Sequence, residues 1–166
     1  MKTPNLIFSL FILLLFSSAV SDSETDYTPV LMKRADLERS VVLLEARAVK
    51  NPGKIYYKDQ MIFLNEKYKG VHIIDNHDPL HPVNIGFLNI PGCLDIAIKN
   101  SQMFADNATD LVSIDLSIPG EVSVSSRKEN VFPERTPPDL TYIPARYTIS
   151  NRPENTIIVG WERTDK

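Results

Sequence analysis

The chain repeats itself. Val71-His72-Ile73-Ile74-Asp75, with Pro79 after it, returns 40 residues later as Leu111-Val112-Ser113-Ile114-Asp115, with Pro119 after it. Upstream, Lys58-Asp59 and Phe63-Leu64-Asn65 return as Lys99-Asn100 and Phe104-Ala105-Asp106, now 41 residues on. One residue is therefore lost between the second and third matched segments. A period near ~40–45 residues, built of short apolar runs, is the pattern of four-stranded propeller blades. A unit of that kind cannot bury its own faces and must stack on a neighbour. The repeated positions are the ones such a unit needs for folding, so they assign no chemistry by themselves.

Turn residues divide each repeat into four strands. In the first they are Lys54 to Tyr57, Met61 to Asn65, Val71 to Asp75 and Val83 to Asn89. Lys58-Asp59, Lys69-Gly70 and the long 76–82 connection separate them. The second supplies Asp95 to Lys99, Gln102 to Asp106, Leu111 to Asp115 and Val122 to Lys128. The third strand of each repeat is nearly continuous in apolar residues, which predicts cover on both faces. Ahead of the repeats, Asp22 to Thr28 reads as a polar leader, Ala35 to Val41 as a short helix and Val42 to Ala48 as extended chain. After Val131 the prolines at 133, 137, 138, 144 and 153 predict an irregular connection. Thr156 to Trp161 then reads as the first strand of a third unit. The expected fold is all-β: a partial β-propeller of about two four-stranded blades plus the first strand of a third, with a short N-terminal helix. The divisions are a signal peptide over 1–21, leader and helix over 22–53, repeats over 54–93 and 94–132, and the proline-rich connection with the start of a third unit over 133–166.

The N-terminus predicts export. Lys2 precedes an apolar run from Leu6 to Phe16, and Ala19 and Ser21 stand at −3 and −1 of a cleavage site before Asp22. That is the layout of a secretory signal peptide, and the run is short of the roughly 20 residues a spanning helix needs. The alternative is an uncleaved N-terminal anchor. Cleavage removes one lysine and leaves 17 basic against 21 acidic residues, interspersed and without a basic stripe, which argues against nucleic acid as a partner. Cys93 is the single cysteine, so no disulfide forms within the chain and the core must hold it. Beside the Pro91-Gly92 turn it reads as a small buried hydrophobe, the alternatives being an intermolecular bridge or a reactive thiol.

Three histidines fall within ten positions. His77 and His81 have the spacing that would aim both rings at one metal on a helix, but Pro79 and Pro82 exclude a helix there. With His72 they read as turn and surface residues, the alternative being a metal site in a loop. Asp106 and Asp110, with Asp115, are the oxygen donors a calcium ion would want, yet no calcium-loop pattern surrounds them. They read instead as Asx-type brackets of the Asn107-Ala108-Thr109 hairpin, which also spells a glycosylation sequon. Asp75 and Asp115 read as structural: a carboxylate at a strand end accepts hydrogen bonds from the turn that follows. Pro79 and Pro119 mark the same turns. Tyr68 and its loop are a candidate ligand platform, against a default of aromatic packing. No catalytic triad order, nucleophile elbow, phosphate loop or Cys-x-x-Cys is present. No catalytic residue, metal site or cofactor is assigned.

Taken together, LVSID and VHIID resemble the repeat that names the LVIVD-repeat proteins, β-propeller-type proteins of bacterial and archaeal cell surfaces. GVHIIDNHDPLHPVNIGFLNIPG, VFPE and IIVGW resemble the N-terminal half of exported members, over roughly Tyr27 to the C-terminus. Exported members commonly carry a lipobox cysteine, and Ser18 to Asp22 contains none. The resemblance implies a truncated N-terminal part of a propeller, and it supplies no activity. The expectation is an exported, non-enzymatic binding or scaffolding protein at the cell surface or in the periplasm. Its partner would be a protein or glycan there, with self-association through exposed blade faces. The alternatives are a fragment of a propeller hydrolase or lyase, and a truncated product without independent function.

Overall fold

The computed structural model describes residues 24–118 and 120–164. The apolar N-terminal stretch, the cleavage site expected before Asp22, and Pro119 lie outside them. The described chain is all-β apart from α1 (Arg34–Glu38) and a 3-10 turn at Ala145–Tyr147. Its strands are β1 (Tyr27–Lys33), β2 (Val42–Leu44), β3 (Pro52–Lys58), β4 (Met61–Glu66), β5 (Gly70–Asp75), β6 (Val83–Asn89), β7 (Ile96–Lys99), β8 (Gln102–Asn107), β9 (Asp110–Asp115), β10 (Ser123–Lys128) and β11 (Thr156–Arg163). They form three open antiparallel sheets, ordered β2-β6-β5-β4-β3, β10-β9-β8-β7 and β1-β11. The eight strands read from the repeat are β3 to β10, each within two residues of its expected ends.

The first two sheets repeat each other in detail. Glu66 pairs with Gly70 across Lys67-Tyr68-Lys69, while Asn107 pairs with Asp110 across Ala108-Thr109. The residue lost between repeats is therefore lost in this turn. Each sheet also carries a bulge at the same place. Ile85 is skipped between Gly86 and Asn84 opposite β5, and Ser125 is skipped between Ser126 and Val124 opposite β9. The β3–β4 hairpin turns on Asp59 and Gln60, both with positive φ, the backbone that a two-residue turn between twisted strands requires.

Cross-strand partners share a face, so the pairing shows how the sheets stack. Tyr56, Phe63, Val71 and Leu88 lie on one face of the first sheet; Ile55, Tyr57, Leu64 and His72 lie on the other. In the second sheet Ile98, Met103, Ala105, Val112 and Ile114 share a face, and Ala97, Phe104 and Leu111 lie opposite. The main core joins the Phe63 face to the Met103 face, together with Ile90 and Cys93 from the connection between the sheets. Tyr56 adds a cross-sheet bond, its hydroxyl donating to the Ile98 carbonyl at 3.0 Å. Phe63 is the repeat counterpart of Phe104, and Ile62 of Met103. The sheets thus stack head to tail, unlike faces together. Burying Val71, Leu88, Met103, Val112 and Ile114 completely contributes roughly 1.5–3 kcal/mol for each side chain.

The third sheet corrects two expectations. The leader reading of Asp22 to Thr28 ends in a strand, because β1 starts at Tyr27 and pairs with β11 from Tyr27–Arg163 to Lys33–Thr156. β11 accordingly has β1 as its partner and does not open another four-stranded sheet. Pro29 obscures β1 in the sequence, but a proline is tolerated in an edge strand. This sheet and Leu37 of α1 pack on Ala108, and Gly160 lies against the Tyr68 ring, so it sits over the same turn of both repeats. The connection from Val131 is irregular but tied down: Arg152 Nη1 donates to Glu134 at 2.9 Å and Trp161 Nε1 to the Arg135 carbonyl at 2.9 Å.

Candidate binding cleft

The strand-end aspartates turn the chain at the opposite end of both sheets. Asp75 accepts the His77 backbone N–H at 2.9 Å, and Asp115 accepts that of Ser117 at 2.8 Å. Both carboxyls are held below the usual carboxylate range, first by these backbone donors. The loops that follow, 76–82 and 116–122, are repeat counterparts. Between them the stacked faces part into a cleft of about 390 Å³ lined by Leu43, Met61, Ile73, Ile85, Leu116 and Val122. Gly86 faces Ile73 across β5 and β6, and Leu43 Cδ1 packs over it, 3.3 Å from where a Cβ at 86 would stand. The walls are apolar, and His77 and Glu121 stand among its lining residues.

The sequence candidates are dispersed. His77 Nδ1 meets Asp75 at 2.6 Å and His81 Nδ1 meets Asp78 at 2.8 Å, all exposed. His72 corrects the expectation of a surface residue, because its side chain is fully buried. Its Nε2 lies 2.7 Å from Glu66 Oε2, and its Nδ1 faces the Asn84 amide at 3.3 Å. With that amide donating, the ring carries its proton on Nε2 and donates it to Glu66. Phe87 meets the ring edge-on, and the Arg47 guanidinium covers Phe87 at 3.5 Å while reaching Glu66 at 3.3 Å. Both ring nitrogens are occupied, and no free face is left for a ligand.

Asp106 and Asp110 do not bracket their hairpin. Asp106 Oδ1 accepts the Leu94 and Asp95 backbone N–H groups, each at 2.9 Å, and Oδ2 accepts Arg135 at 2.9 Å. Asp110, fully buried, accepts a two-pronged bond from Arg34 at 2.9 and 2.7 Å, Arg127 at 2.7 Å and the Asn130 N–H at 3.1 Å. Burial alone would raise the Asp110 carboxyl; the bonds from Arg34, Arg127 and Asn130 outweigh it and hold the carboxyl below its ordinary value. These donors occupy the oxygens a calcium ion would need. Among the described residues, no three His, Cys, Asp or Glu side chains converge on a metal position.

Of three further candidates two are enclosed and the third, Tyr68, is half-buried. Asn107, the sequon asparagine, is fully buried and donates to the Pro91 carbonyl at 2.7 Å. Cys93 is fully buried, and burial, aided by Asp106, pushes its thiol well above the ordinary range. Tyr68 packs under Gly160 beside a second cavity of about 250 Å³; burial raises its phenol. Sequence reasoning missed the cleft, since its lining residues read as ordinary strand positions. The one signal was that the 76–82 and 116–122 loops occupy the same place in the repeat. Compared with protein families, characterised proteins and solved structures, the chain shows no match.

Proposed function

We propose that the chain is an exported, non-enzymatic, propeller-type repeat protein of LVIVD-like character that binds or scaffolds at the cell surface or in the periplasm, with the inter-sheet cleft as its contact site. One observation carries this reading: two repeat-equivalent loops flank an apolar cleft of about 390 Å³. Binding groups in repeat folds concentrate in loops on a rigid frame, and the volume lies in the range of ligand pockets. Walls of Leu, Ile, Met and Val suit an apolar side chain or acyl group of a partner, its polar end left beside His77 and Glu121. The Lys2, Leu6–Phe16 and Ala19-x-Ser21 pattern supports export. The pairing of His72 with Glu66, and of Asp110 with two arginines, supports structural work for the buried charges.

Titration with 1-anilinonaphthalene-8-sulfonate tests the cleft. Saturable binding at one site per chain is expected, weakened at least about tenfold by Ile85→Glu, a residue 54% exposed on the cleft wall, and unchanged by Tyr57→Glu on the far face. Absence of saturable binding, or sensitivity to Tyr57→Glu alone, would overturn the assignment.

A further inference from the structure

The head-to-tail stacking leaves two outer faces of a particular kind, the one on the first sheet open at Ile55 and Tyr57 and closed over His72 and Phe87. Each is the repeat counterpart of a face already packed inside the chain. On the second sheet the free face carries Ala97, Phe104 and Leu111, counterparts of Tyr56, Phe63 and Val71 in the core. On the first sheet the free face carries Ile55, Tyr57 and Ile62, counterparts of Ile96, Ile98 and Met103 in the same core. The pairing that joins the two sheets is thus available once more, with one half at each end of the stack.

Shape and charge agree with this. The Ala97 face holds a hollow of about 390 Å³ lined by Ala97, Phe104, Leu111, Phe132 and Arg135 among others. The opposite face projects Ile55 and Tyr57, 69% and 60% exposed, at the margin of a largely apolar sheet. Inside the chain Lys54 of the first sheet bonds Asp95 of the second. Lys54 and Asp95 are themselves repeat counterparts, 41 residues apart. Applying the same packing again sets Asp95 of one copy against Lys54 of the next, and the charges again oppose.

We propose that a second copy of this chain docks its Ile55–Tyr57 face on the Ala97–Phe104 face of the first, reproducing the internal sheet-to-sheet interface between molecules. The contact is heterologous: it uses different patches on the two copies, and each added copy presents the next free face. Contiguous apolar faces of this kind are uncommon on isolated soluble chains, and stacked repeats cover them with another repeat. The inference rests on repeat packing and is independent of the cleft.

A mixing experiment on the exported chain tests it. Sedimentation velocity between about 1 and 100 µM should show concentration-dependent species beyond the monomer. Tyr57→Glu blocks one face and Ala97→Glu the other. Both sites are exposed, so cooperative melts should persist, and each variant alone should be monomeric. Mixed, they should form a 1:1 dimer and nothing larger, since each retains the face the other needs. Should Tyr57→Glu fail to fold, Ile55→Glu replaces it. A wild-type monomer throughout the range, assembly surviving either variant, or a mixture that stays monomeric would each overturn the proposal; the last would instead mark a two-fold or non-specific contact.

Discussion

The two repeats share strand pairing, turn position and bulge, yet they place charge in different ways. The first buries a histidine–carboxylate pair across its own sheet, His72 against Glu66, with Arg47 lying over Phe87. The second has Val112 where the first has His72, and puts its buried carboxylate at Asp110, the counterpart of Gly70. Asp110 reaches outward to Arg34, which follows β1, and to Arg127 in β10. One repeat thus pairs its buried carboxylate with a histidine of its own sheet, while the other uses its buried carboxylate to fasten the terminal sheet. The repeat fixes backbone geometry and leaves the buried-charge pattern free to specialise.

The largest break in this comparison comes from its shared apolar strand. Ile114 is fully buried and Ile74 half-buried. Ile114→Asp should cost at least about 4 kcal/mol and abolish cooperative unfolding, whereas Ile74→Asp should cost about 2 kcal/mol, as read from urea titration of both variants. Equal losses would mean that the two sheets are equally covered. Next comes the fastener. Asp110→Asn should cost about 3 kcal/mol at pH 7, because two guanidinium groups lose a buried partner. Its pH dependence has a definite sign: a carboxyl depressed in the folded state stabilises above its unfolded pKa of about 3.9, and that contribution is lost as pH falls through the lower folded value. The difference between wild type and Asp110→Asn should therefore be full at pH 7 and shrink below about pH 4, as followed by thermal melts across pH. The smallest effect belongs to the local pair. His72→Val, which installs the second repeat's residue, should cost about 2 kcal/mol by removing a donor from Glu66. Adding Glu66→Gln should recover at least half, since the penalty lies in the stranded carboxylate. A double-mutant cycle with no coupling would show that Arg47 alone satisfies Glu66.

The sequence was informative wherever a periodic, local rule governed the outcome. Alternating apolar positions and turn residues located β3 to β10, and the shift from 41 to 40 residues predicted a loss that falls in the 67–69 turn. The terminal aspartates were legible for the same reason, their hydrogen bonds reaching only two residues ahead. What escaped depends on distant partners. Arg34 and Asp110 are 76 residues apart, and no local pattern links them. His72 was hidden by its neighbours, since His77 and His81 are exposed turn residues while His72, on the face of β5 away from the main core, is enclosed by Glu66, Asn84 and Phe87. β1 escaped because Pro29 sits in it and its partner lies at the other end of the chain. The cleft left only a faint trace, the shared place of the 76–82 and 116–122 loops in the repeat.

That last pairing has a consequence for the order of events in folding. β1 and β11 join residues 27 and 163, and closing a loop of that length costs on the order of 4 kcal/mol in chain entropy before any contact repays it. The two repeats need only each other and can stack as soon as both are synthesised. β1, although first to emerge, has no strand to pair with until β11 follows. The terminal sheet is thus the last piece assembled, and a nascent chain passes through a stage in which both repeats are folded while β1 waits with an unpaired edge. That interval is when a holding chaperone or a protease would find it.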